Sequence, residues 1–117
     1  LGDVYKRQQV RGMVGLYLDD PDAVLPAELR SYAAVIWAGD NVPDGLEDMV
    51  IPAGRAAVLT YKGPYATIKA AYDYLWGEWL AQSGETPADV PAIEYYLNSP
   101  MDTKPEDLLT EVRLPLA

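Results

Sequence analysis

The chain has 117 residues, half of them hydrophobic, which is enough to bury one modest core and too few for two independent domains. It contains neither Cys nor His, which excludes a disulfide, a thiolate nucleophile, a Ser-His-Asp triad and a conventional zinc site. A formal net charge of −9 argues against direct contact with nucleic acid, which needs clustered Lys and Arg, and favours a cationic or neutral ligand.

The first eight residues, LGDVYKRQ, resemble a translated sequencing adaptor and are expected to be a non-native tail. Met13 to Leu18 and Tyr32 to Trp37 read as an antiparallel strand pair joined by the loop DDPDAVLPAELR, whose prolines and acidic residues suit turns. Residues 39–54, acidic and bounded by prolines, read as a linker running into a strand from Ala56 to Tyr61. After the break at KGPY, Thr67 is expected to cap a helix. Its apolar positions Ile68, Ala71, Tyr72, Leu75, Trp76, Trp79 and Leu80 follow i, i+3, i+4 spacing, and Gly84 suits its end. Strands follow at Ala92 to Asn98 and Glu111 to Leu116, around a turn at Lys104 to Leu109. No apolar run of about 18 residues and no basic-plus-apolar leader is present, so the expectation is a soluble, cytoplasmic protein, although missing N-terminal sequence could hide a leader.

The stretch from Gly15 to Trp37 aligns without a gap on Glu94 to Leu116, at a constant offset of 79 residues. The identities are Tyr17 with Tyr96, Leu18 with Leu97, Pro21 with Pro100, Pro26 with Pro105 and Leu29 with Leu108. Each copy reads as strand, acidic proline-bracketed loop, short turn, strand, an order that coincidence would not keep. The second copy opens with the strand and helix at roughly 56 to 82, and their counterparts would precede residue 1. The expected organisation is therefore a partial first repeat over 9–38, the linker 39–54 and a full second repeat over 55–117. Loss of the opening strand and helix should leave an exposed apolar surface around Val14, Leu16, Leu18 and Val35, and a weakly stable or self-associating domain.

KGPY, AAYDYLWGEWLAQSG and PAIEYYLNSPMDTKPEDLLTEVRLPL, together with LYLDDPDAVLPAELR in the first copy, resemble the GyrI-like small-molecule-binding domain, also called the AraC-type effector-binding domain. The resemblance implies an α+β fold: an antiparallel sheet with a helix packed on one face, in two pseudo-symmetric strand-helix-strand-strand repeats with a ligand groove between them. It further implies the C-terminal sensor of an AraC-type transcription regulator, reaching DNA only through a separate helix-turn-helix module. The alternatives are a stand-alone drug- or toxin-sequestering protein and a cyclopropane-opening hydrolase using Glu94 with Tyr65 or Tyr96. No cofactor, metal or membrane partner is implied, and the ligand and oligomeric state stay open.

Strand alternation places Glu94 and Tyr96 on one face and Ile93, Tyr95 and Leu97 on the other; Ile93 and Leu97 are expected to meet the helix. The repeat alignment then puts Gly15 and Tyr17 on the same open face as Glu94, with Gly15 leaving room for a ligand. A carboxylate among aromatic rings suits a lipophilic cation. Tyr65, after the KGPY turn, resembles the family's groove-lining tyrosine, with a structural cap as the alternative. Glu94 could equally pair with Arg113 on the neighbouring strand. Tyr72, Trp76 and Trp79 read as core, with one tryptophan reaching a groove edge as the other option. The Asp19, Asp20, Asp22 cluster lacks the glycine and terminal glutamate of a calcium loop and reads as a solvated turn.

Overall fold

The computed structural model describes residues 10–19, 23–39, 41–42, 44–47, 50 and 54–117, with Val10 and Arg11 described for backbone only. The expected tail, residues 1–8, lies outside the described residues, as does part of the expected linker. The strands are β1 (Val10–Tyr17), β2 (Ser31–Trp37), β3 (Ala56–Lys62), β4 (Ala92–Tyr96) and β5 (Leu109–Pro115). They form one antiparallel sheet in the order β2-β1-β4-β5-β3.

The helical region follows β3. A 3-10 turn at Tyr65–Thr67 leads into α1 (Lys69–Tyr72), a π-helical run at Asp73–Trp79 and α2 (Leu80–Ser83). Gly84 ends the helix with φ 73°, a left-handed conformation that glycine adopts without a Cβ penalty. Thr67 does not cap it: its hydroxyl donates to the Pro64 carbonyl at 3.1 Å and also pairs with Tyr61. The backbone already turns there through 3-10 bonds, so the side chain is drawn back toward the preceding turn.

The helix packs on the sheet face presented by alternate residues of β3 and β5. Ala71 and Leu75 meet the fully buried Val112, and Ala57, Leu59, Tyr61, Ile68, Tyr72 and Trp76 surround them. Thr110 and Leu114 share that face with Val112, giving β5 a strict alternation of buried and half-buried side chains. Because Val112 lies opposite Glu94 in the register, the helix covers the Glu94 face. This reverses the sequence expectation. Ile93 is buried on the opposite face and Leu97 is 52% exposed.

The duplication is visible atom by atom. Matching 3-10 turns occupy Pro26–Glu28 and Pro105–Asp107, 79 residues apart. Leu18 N–H donates to the Arg30 carbonyl at 3.1 Å, and its counterpart Leu97 donates to Leu109 at 3.0 Å. The Asp19 carboxylate accepts the Arg30 backbone N–H at 2.8 Å, while the Asn98 side-chain oxygen accepts that of Leu109 at 2.9 Å. Gly15 and Glu94, equivalent in the repeat, are also direct partners in the β1-β4 ladder, so the pseudo-twofold axis passes between them.

Val14 and Leu16 do not form the exposed patch expected from the sequence: each is 3% exposed, and Leu18 and Val35 are half-buried. The reason is position, since β1 is an interior strand and Leu16 stands directly beside the buried Ile93 on the same face.

Candidate functional site

A groove of about 900 Å³ opens beside the axis on the helix-bearing face. Glu94, Tyr96 and Tyr17 form its floor and near wall, Tyr65 and Ile68 come from the turn entering the helix, and Met13 and Leu97 add apolar surface. Its rim is the loop after β4, through Asn98, Ser99, Pro100, Asp102 and Thr103. That loop is anchored by Asn98, which accepts from Leu109 N–H and donates to the Asp107 carbonyl at 3.1 Å.

Glu94 is 5% exposed, a severe position for a carboxylate. Its Oε2 accepts the Tyr72 hydroxyl at 2.5 Å and its Oε1 accepts the Tyr96 hydroxyl at 3.2 Å. The Tyr96 and Tyr17 oxygens are 2.9 Å apart. Since the single Tyr96 proton goes to Glu94, Tyr17 is the donor to Tyr96. A tyrosine hydrogen-bonding its own repeat equivalent is what a residue beside a twofold axis can do. Tyr65 meets Tyr96 edge-to-face, with ring centroids 5.5 Å apart.

Burial raises the Glu94 pKa above the ordinary carboxylate value, and the hydrogen bonds from Tyr72 and Tyr96 oppose that rise. Burial is also the first cause holding Tyr72 and Tyr96 well above the usual phenol value, with the adjacent Glu94 adding to it. Tyr17 and Tyr65 are raised by burial first, with the adjacent Glu94 adding to it. All four phenols therefore stay protonated at neutral pH. The site holds one buried carboxyl group among neutral hydroxyl groups, and the ion pairs among the described residues all lie elsewhere.

Of the residues singled out from sequence, Glu94, Tyr96, Tyr17 and Tyr65 converge on the groove, and Gly15 does not line it. A Cβ on Gly15 would come within 2.5 Å of the Tyr96 hydroxyl oxygen and 2.9 Å of the Tyr17 ring. The glycine makes room for the tyrosines rather than for a ligand. Arg113 does not pair with Glu94: it stands opposite Ile93 on the other face, bound to Glu111 and lying 4.2 Å over the Tyr95 ring. Neither Trp76 nor Trp79 reaches the groove. Asp19 is engaged with Arg30, while Asp20 and Asp22 lie outside the described residues. The helical spacing marks Tyr72 only as core, and the structure adds its contact with Glu94. The signal available was that it is the one phenol on the helix's apolar stripe, above a strand carrying an unpaired carboxylate.

A pocket on an α+β scaffold, with a buried carboxylate and a tyrosine lining, defines a small-molecule-binding domain. Residues 3–117 match the family described as GyrI-like small molecule binding domain, and the chain belongs to that family. It is 34% identical over 105 residues to a DNA gyrase inhibitor of Yersinia enterocolitica serotype O:8 / biotype 1B, covering 84% of this chain and 67% of that protein. Its fold matches a chain of the EcmrR-DNA complex in EcmrR-RPo with a TM-score of 0.72 and 22% identity, over 90% of this chain and 38% of that one. It also matches an uncharacterized conserved protein from Listeria innocua with a TM-score of 0.69 and 16% identity, over 92% of this chain and 64% of that one. The chain thus spans well under half of the EcmrR chain and about two thirds of the other two proteins. No helix among the described residues is long and apolar enough to cross a membrane.

Proposed function

We propose that the groove binds lipophilic cations, with Glu94 supplying the charge and Tyr17, Tyr65 and Tyr96 the aromatic walls. The carrying observation is a 5%-exposed carboxylate held by hydroxyls and by no cation among the described residues, at the floor of a cavity large enough for a drug-sized molecule. A ligand cation would offset the cost of desolvating that charge, and each ring contact adds about 0.5 to 2 kcal/mol. In this reading the domain is the effector sensor of an AraC-type transcription regulator, meeting DNA through a helix-turn-helix module elsewhere in the protein. Support for a sensor role is the fold shared with part of a DNA-bound chain. The second reading, a stand-alone sequestering protein acting in the manner of the gyrase inhibitor, is favoured by the 34% identity. A hydrolytic role for Glu94 is disfavoured by the match to a small-molecule-binding family and to a gyrase inhibitor.

The test is a titration of N-methylquinolinium and its neutral isostere 1-methylnaphthalene against the wild-type chain and Glu94→Gln. The cation should lose about 1 to 4 kcal/mol, the scale of a Coulomb contact at about 4 Å between water and a partly screened site, and the neutral compound much less. Equal losses would defeat the charge-recognition reading.

A further inference from the structure

The carboxyl group at the groove floor is bound by a residue outside the groove. Tyr72 does not line the cavity, yet its hydroxyl makes the shortest contact to Glu94, 2.5 Å to Oε2. Its ring is stacked on Trp76 at 5.2 Å between centroids and 22° between planes, and both rings pack on the Ala71, Leu75, Val112 core. The position of that hydroxyl is therefore set by core packing. The other donor, Tyr96, is a groove wall that shares its hydroxyl with Tyr17 and packs its ring against Tyr65.

We propose that Tyr72 is a positioning residue for charge recognition: its hydroxyl, braced by Trp76, holds Glu94 ionised and aimed into the groove. The groups facing the carboxylate are Tyr72 from the helix, Tyr96 on its own strand, Tyr17 from β1 and Tyr65 from the turn before α1, none of them cationic. Lys69, one turn before Tyr72, is ion-paired with Asp73 at 2.8 Å. Without the Tyr72 hydroxyl, burial would act on Glu94 opposed by a single 3.2 Å bond. The carboxylate would then take up a proton at higher pH, and the groove would lose its charge near neutrality. The consequence for ligands rests on the cation reading above; the coupling of Tyr72 to Glu94 does not.

The experiment follows the side-chain carboxyl ¹³C resonance of Glu94 through a pH titration in the full chain, in wild type, Tyr72→Phe and Trp76→Leu. Phenylalanine keeps the stack and removes only the hydroxyl. The Glu94 midpoint should rise by about one pH unit or more in Tyr72→Phe, a tenfold change in proton affinity, and by less in Trp76→Leu. At neutral pH, N-methylquinolinium should bind Tyr72→Phe several-fold more weakly, 1-methylnaphthalene should be unaffected, and Tyr72→Phe placed on Glu94→Gln should cost the cation nothing further. An unmoved midpoint in the folded variants overturns the proposal, as does a further cation loss in the double variant. A raised midpoint with no cation preference in wild type would sink the ligand class and leave the coupling standing.

Discussion

At the residue scale, Glu94 opposes the usual pH behaviour of carboxylates. Its folded pKa lies above the ordinary value of 4.5, so the fold binds the proton more tightly than the unfolded chain does. The stability this contributes is fully present below about pH 4.5 and is lost as pH rises through the raised value. Asp19 works in the other direction: its hydrogen bonds from Arg30 hold it below 3.8, so its contribution is present above that value and fades on acidification. Thermal unfolding followed across this range should show Glu94→Gln gaining stability relative to wild type as pH rises toward neutrality. Parallel pH profiles for the two proteins would show that the carboxylate is not the source of the slope. Gly15 illustrates the same coupling sterically, because the hydroxyl chain above it leaves no space for even one methyl group.

At the element scale, β5 carries the fully buried side chains of Thr110, Val112 and Leu114, and the Thr110 hydroxyl finds no hydrogen-bond partner among the described residues. A buried unsatisfied hydroxyl costs about 1 to 3 kcal/mol, and a same-shaped apolar replacement removes that cost. Thr110→Val should therefore raise the urea midpoint of unfolding by the equivalent of about 1 kcal/mol; a lowered midpoint would mean the hydroxyl is satisfied in solution. The helix reads differently in sequence and structure. Its apolar spacing correctly identifies the stripe that meets the sheet, but the π-helical run at Asp73–Trp79 gives no sign in a pattern built on 3.6 residues per turn. Short paired corners were easier to read, since prolines at the same offset begin both 3-10 turns.

For the whole molecule, a net charge of −9 surrounds a groove whose charged lining residues are Glu94 and Asp102. Exposed charges act over a screening length of about 8 to 10 Å at physiological salt, whereas the buried Glu94 contact is screened much less. Cation affinity should therefore fall with added salt to a plateau still above that of the neutral isostere, as read by titrations over increasing sodium chloride. A complete collapse onto the neutral value would assign recognition to the acidic surface rather than to Glu94. The sheet ends in two edge strands, β2 pairing only with β1 and β3 only with β5 among the described residues. Amides of β2 should exchange with solvent faster than those of β1, β4 and β5, whose strands are paired on both sides.

The amino-acid sequence by itself determined the duplication, the alternation of each strand and the helical stripe, because these depend on spacings within short segments. It also grouped Glu94, Tyr96, Tyr17 and Gly15 on one face, since a period of two sorts a strand into two sets and a constant offset carries the sorting between copies. That period does not label which set the helix will cover. The label came from the crossover that laid the helix over Val112 and its ladder partner Glu94, placing the buried carboxylate beneath the helix rather than open to solvent. The axis between Gly15 and Glu94 likewise exists only because β1 pairs with β4, and the Tyr72 bond only because the helix lies across that pairing. Contacts between segments distant in the chain leave no period in the sequence, and tertiary packing alone decided them.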